Sequence, residues 1–183
     1  MPITKTITLY AIDELSETAR EKAIQELWDI NVDCEWWDFI VEEAAKFGIR
    51  IDEFDLDHRT IKGGLTEQLL DSAQSIISET GSSCDIHTVA EEYVEKYMEA
   101  YKEWRKNQDE DGCEAWTDDN WLTEFKYSDE DGELCDEYKK AILEEYLVIL
   151  RREEDYLTSS SAILDTIRAN EYTFTEEGKM ENC

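Results

Sequence analysis

Apolar residues recur with a period of about 3.6 over several stretches of the chain and alternate over only a few, which predicts a helix-rich α+β fold with a small antiparallel sheet. Ile3, Ile7 and Leu9 among threonines predict an opening strand that ends near Tyr10. Ser16 reads as the N-cap of a helix over residues 17–30, whose buried face carries Ala19, Ala23, Leu27 and Ile30. In residues 35–47 the set Trp36, Ile40, Ala44 and Phe47, flanked by Trp37 and Val41, predicts a second helix with a broad core stripe that Gly48 ends.

Residues 49–57 alternate imperfectly and predict a strand, turned through Asp57, His58 and Arg59 into another over residues 60–65. Helices are then expected over residues 67–79, stopped by Gly81, and over 86–106, where Tyr93, Tyr97, Tyr101 and Trp104 share a side. A long helix over 134–157, a short one over 160–169 and a closing strand over 171–175 complete the order, with a polar tail at 176–183 expected to fray. No repeat or low-complexity linker divides the chain, so its 183 residues predict a single domain, 1–183.

Between the long helices, residues 107–137 carry thirteen acidic side chains against one lysine and no strong helical period. The stretch also holds Trp116, Trp121, Phe125 and Tyr127. Solvated loops rarely hold so many large aromatics. The rings either pack an ordered insertion, at about 107–133, against the domain, or serve as contact anchors ringed by charge. On the second reading the partner-binding residues are Asp109, Glu110, Asp111, Glu114, Trp116, Asp118, Asp119, Trp121, Asp129, Glu130 and Asp131.

Composition sharpens this picture through charge. With 47 acidic and 18 basic side chains the formal net charge is −29. Duplex DNA carries one charge per ~1.7 Å of axis. A compact globule of this length is roughly 40 Å across, so the protein carries about the charge of a DNA rod its own length. Direct binding to nucleic acid is not expected, because that requires a basic surface to neutralise phosphates. No apolar run approaches the length of a membrane span, and residues 1–10 lack the basic and apolar regions of a signal peptide, which together predict a cytoplasmic protein.

Metal and catalytic chemistry are weakly signalled. Cys84 and His87 have metal-ligand spacing, and Cys113 and Cys135 are the residues that would complete a four-ligand zinc site. Without a second short-spaced pair, a half-buried thiol beside a helix-start histidine is the favoured reading. The DEDG at 109–112 can be laid on a calcium loop with Asn107, Asp109, Asp111, Gly112 and Asp118 at positions 1, 3, 5, 6 and 12, but Glu114 falls on the normally apolar position 8. The DEDG at 129–132 puts Tyr127 at position 1 and fails. Asp55 and Asp57 have the spacing of a magnesium pair, yet such pairs arise easily by chance among so many acids. His58 and His87 are the only histidines, and neither lies in a nucleophile motif, so no cofactor and no catalytic residue is expected.

The segments ITLYAIDELSETAREKAIQELW, DCEWWDFIVEEAAKFGI, FDLDHRTIKGGL and EEYLVILRREEDYLTSSSAILDTIRANEYTFTEEGK span most of the chain and resemble a family of small acidic phage- and prophage-encoded proteins, some labelled antitoxin-like. Proteins of that genomic type include anti-CRISPRs and other antagonists of host defence. The resemblance implies phage origin and action in the host cytoplasm, and it assigns no catalytic or binding residue. Together with the charge it leads to the expectation of an inhibitor that presents carboxylates to a basic host protein, a CRISPR effector or another nuclease. The alternatives are an antitoxin-like protein that neutralises a basic toxin and a metal-dependent enzymatic antagonist.

Overall fold

A computed structural model describes residues 6–108, 117–126 and 128–181, with backbone alone for 129–131. The chain is α+β and helix-rich, with two small antiparallel sheets among the described residues. It forms two compact units, residues 1–38 with 151–183 and residues 39–150. Among the described residues no helix is long and apolar enough to cross a membrane.

In the first unit, strand β1 (Tyr10–Ala11) pairs antiparallel with β4 (Thr173–Phe174). The predicted opening strand is thus displaced: residues 6–9 are not strand, and Ile3 lies outside the described residues. Helix α1 (Glu17–Glu26) begins where Ser16 accepts a hydrogen bond from the Ala19 N–H through its side chain, as the capping pattern predicts. It ends four residues before Ile30. The reason lies in Asn31, whose amide donates to the Leu157 carbonyl at 2.9 Å and accepts from the Thr166 hydroxyl at 2.6 Å. These bonds require residues 27–34 to leave the helix as a series of turns.

Helix α7 (Ser160–Ala169) is capped by the Ser159 side chain and lays Ala162, Ile163 and Ile167 into a core shared with Ile12, Leu15, Ala19, Ala23 and Phe174. At its end Arg168 grips Asp13 through two bonds, of 3.0 and 2.7 Å, and this guanidinium holds the Asp13 carboxyl below its ordinary range. Of the segment expected to fray, residues 176–181 are folded back, and 182–183 lie outside the described residues. Thr175 donates to the Lys179 carbonyl, Glu181 donates to that of Thr173, and Gly178 is buried against the Ala19 backbone.

The second unit starts with helix α2 (Asp38–Lys46), which buries Ile40 and Ala44. Gly48 ends it at φ +71, a left-handed turn that favours glycine. Trp36 and Trp37 precede the helix, half-buried and edge to face at 5.6 Å, so the helix starts later than the apolar stripe suggested. Strands β2 (Ile49–Asp55) and β3 (Thr60–Leu65) form the expected hairpin, with an irregularity between Ile51 and Glu53 and Arg59 at φ +53 in the turn. Helices α3 (Leu69–Glu79) and α4 (Asp85–Lys106) pack against one another. Helix α5 (Asp118–Phe125) and helix α6 (Asp129–Leu157) follow.

Tyrosines populate this core, with Tyr97, Tyr138 and Tyr146 fully buried. The Tyr138 hydroxyl lies 3.0 Å from that of Ser72, also buried, and burial pushes the phenol up to about 12. Burial raises Tyr146 as well, and its hydroxyl has no hydrogen-bond partner among the described residues. An unpaired buried hydroxyl costs ~1–3 kcal/mol, whereas removing one member of a pair orphans the other. Tyr146→Phe is therefore expected to raise stability by ~1 kcal/mol, and Tyr138→Phe to lower it by ~1–2 kcal/mol, in urea denaturation. Equal effects of the same sign would refute this assignment of hydroxyl environments.

Candidate functional site: an acidic face on an aromatic base

The expected insertion is partly regular structure. Thr117 caps α5 through a box in which its hydroxyl accepts from the Asn120 N–H and its own N–H donates to the Asn120 side chain at 3.1 Å. Trp121 and Phe125, one turn apart, then fall on one face and meet the aromatic side of α4. The Phe125 ring centroid lies 5.1 Å from that of Tyr97, 5.7 Å from Tyr101 and 5.4 Å from Trp104. Trp104 meets Trp121 edge to face at 6.3 Å, and the Arg105 guanidinium sits 3.9 Å from the centre of the Trp121 ring.

This arrangement corrects the anchor reading of Trp121. Its residue surface is 5% exposed and Phe125 is fully buried, so both rings hold α5 onto α4 and neither projects toward solvent. Asp118 and Asp119 are exposed at the N-terminal turn of α5, where the helix dipole stabilises negative charge. The Tyr101 hydroxyl donates to the Asp118 carbonyl at 3.4 Å, and burial with the Asp118 charge raises that phenol. Asp109, Glu110, Asp111, Glu114 and Trp116 lie outside the described residues. Asp129, Glu130 and Asp131 begin α6, which starts five residues earlier than the periodicity suggested; their side chains are not described.

Helix α4 adds acids that were not singled out in the sequence. Glu91, Glu95, Glu99 and Glu103 recur at every fourth position and are all exposed. Successive members rise ~6 Å along the helix, so the row runs ~18 Å. Glu103 pairs with Lys106 at 2.9 Å, and the neighbouring Glu92 pairs with Lys96 at 2.7 Å. Neither Glu95 nor Glu99 forms an ion pair among the described residues. The exposed pairs hold little energy, ~0–1 kcal/mol each, and leave the field strongly negative.

Of the candidate metal residues, His87, Asp55 and Asn107 bond to other partners, Cys84 and Cys135 are half-buried thiols, and Cys113 lies outside the described residues. His87 is buried in the first turn of α4, with Nδ1 donating to the Thr80 carbonyl at 3.1 Å and Nε2 3.5 Å from Glu91. Asp55 accepts from the His58 N–H and lies 2.8 Å from its ring, contacts that lower the Asp55 carboxyl and raise the His58 imidazole. Asn107, the first residue of the calcium-loop match, donates its amide to the Glu103 carbonyl. Among the described residues no group of three metal-ligating side chains is assembled.

Large apolar side chains do reach solvent away from α5. Trp28 is 59% exposed beside a shallow cleft lined by Ile24, Gln25, Thr158 and Ile163 in the first unit, where Tyr156 is 60% exposed. In the second unit Phe39 is 62% exposed. No protein-family model, curated protein or solved structure matches the chain.

Proposed function

We propose that the protein is a phage-encoded inhibitor that occupies the basic nucleic-acid channel of a host defence protein, with a CRISPR effector as the first target class. The observation that carries this reading is the exposed carboxylate row of α4, which in a chain of net charge −29 presents charges ~6 Å apart along a rigid helix. Four charges over ~18 Å are sparser than duplex DNA, with one per ~1.7 Å, so the row acts together with other acids such as Asp118 and Asp119. Electrostatic steering brings such a face to a Lys- and Arg-lined channel, and exposed aromatics supply contact energy that screened charges lack. Phe39, exposed in the same unit as α4, is available for that role.

The test is displacement of labelled duplex DNA from a panel of purified effector nucleases, read by anisotropy across a salt series. Displacement is expected at low salt and is expected to fade as salt rises. A Glu91→Gln, Glu95→Gln, Glu99→Gln, Glu103→Gln variant is expected to fold normally and to associate at least ~10-fold more slowly. Direct binding of the duplex by the protein, or unchanged association of the amide variant, would overturn the mimicry reading.

A further inference from the structure

Inside the second unit, strand β3 and helix α6 enclose a groove of about 470 Å³. Residues 59–63 form one wall, and the other carries Lys139, Lys140, Leu143, Glu144 and Leu147. The two elements run close together, since a side chain built at Gly63 would come within 3.0 Å of Leu143. The walls are matched in length: four strand steps span ~13 Å, and eight helical rises ~12 Å. That is room for about four residues of extended chain.

Two features say what would fill it. β3 is paired only with β2 among the described residues, and no backbone–backbone bond outside that ladder engages Thr60–Leu65 there. In an antiparallel ladder the outward N–H and C=O groups of an edge strand form a template for another strand. The groove is also locally cationic in a strongly acidic protein. Arg59, Lys62, Lys139 and Lys140 line it, four of the 18 basic residues in the chain.

Arg59 and Lys140 form no ion pair among the described residues, and Lys62 and Lys139 pair only with the exposed Glu53 and Asp136 there. Such pairs exchange readily, being worth ~0–1 kcal/mol. The floor between the cations is apolar, made by Ile61, Leu143 and Leu147. We infer that the groove takes up an extended acidic peptide segment, which adds as a third strand on β3 and sets its carboxylates against Arg59, Lys62, Lys139 and Lys140.

Charge selects this occupant over a second copy of the chain. Pairing two β3 edges about a twofold axis would bring both sets of cations together, and opposed like charges destabilise a ladder. The overall negative charge does not forbid a short acidic segment, because exposed charges more than ~8 Å away are screened at physiological ionic strength. The inference stands apart from the proposed inhibition, since it uses different residues and a partner of opposite charge.

The probe is a fluorescein-labelled, end-capped (Val-Glu)4 peptide, titrated with the full chain and read by anisotropy. Binding is expected, with (Val-Lys)4 at least tenfold weaker and the Lys139→Glu, Lys140→Glu variant reversing that preference while keeping its circular dichroism. N-methylation of alternate peptide bonds keeps the charge and removes one hydrogen-bonding edge. One of the two methylation patterns is expected to lose at least tenfold in affinity and the other to retain most of it. No preference for the acidic peptide, or a preference the double variant leaves in place, would overturn the charge assignment. Equal binding of both methylated forms would overturn strand addition.

Discussion

Trp121→Ala and Phe125→Ala are each expected to remove ~3–5 kcal/mol of folding stability, the range for deleting a large buried aromatic side chain. The expectation follows from where the rings sit. Phe125 is fully buried among Tyr97, Tyr101 and Trp104, and Trp121 lies between Trp104 and the Arg105 guanidinium. Truncation opens a cavity that the rigid α4 face cannot collapse to fill, and it removes an aromatic contact worth ~0.5–1.5 kcal/mol beyond area burial. A surface contact residue would behave differently, with ~2 kcal/mol or more lost in partner binding and little in stability. Trp28, exposed in the first unit, supplies the control, because Trp28→Ala is expected to change stability by no more than ~0.5 kcal/mol. Denaturation midpoints at constant slope decide the matter. A Trp121→Ala protein as stable as the parent would show that α5 is not held by its aromatic face.

Helix α5 also shows where sequence patterning stops being informative. Periodicity located α3, α4, α7 and the hairpin to within about two residues because each has a clear apolar face or turn signal. In residues 117–125 the apolar signal is only Trp121, Leu122 and Phe125 amid acids, too few for a period. The decisive signal was a cap: Thr117 followed three residues later by Asn120, with an apolar pair at i and i+4. The early start of α6 was hidden in the same way, since an acid-rich first turn reads as loop although the helix dipole favours it. Helix α1 ended before its apolar stripe did because Asn31 bonds to Leu157 and Thr166, partners far along the chain.

The candidate surfaces divide along the same line. The α4 row is legible to anyone who counts Glu91, Glu95, Glu99 and Glu103 by fours on a helix already predicted, since local spacing fixes the face. The β3–α6 groove is not. Its cations come from two segments that only the tertiary fold brings together, and each segment alone reads as an ordinary solvated run. Likewise Trp121 is indistinguishable in sequence from an exposed anchor, because a charged neighbourhood in the chain does not fix which way a ring faces.

Phe174→Ala and Gly178→Val are both expected to cost ~3 kcal/mol or more, which a fraying chain segment would not show. Phe174 is fully buried in the core of the first unit, and β4 carries it through its pairing with β1. Gly178 sits at φ +83 in the turn that returns the chain to β4, a conformation that a β-branched residue adopts only with strain of ~1–3 kcal/mol. Any Cβ there would also strike the Ala19 carbonyl, which is backbone of α1 and has little freedom to yield. Gly132 provides the opposite case inside α6, where a Cβ meets nothing within 4 Å. Gly132→Ala is expected to stabilise by ~0.5–1 kcal/mol, because the helix gains propensity without a clash. Chemical denaturation of the three variants reads these signs, and amide exchange at Thr175 and Glu181 reads the turn directly through their bonds to Lys179 and Thr173. If Gly178→Val melts with the parent and those amides exchange at the rate of a free chain, residues 175–181 are not part of the first unit, and the closing of β4 onto β1 must be carried by Phe174 alone.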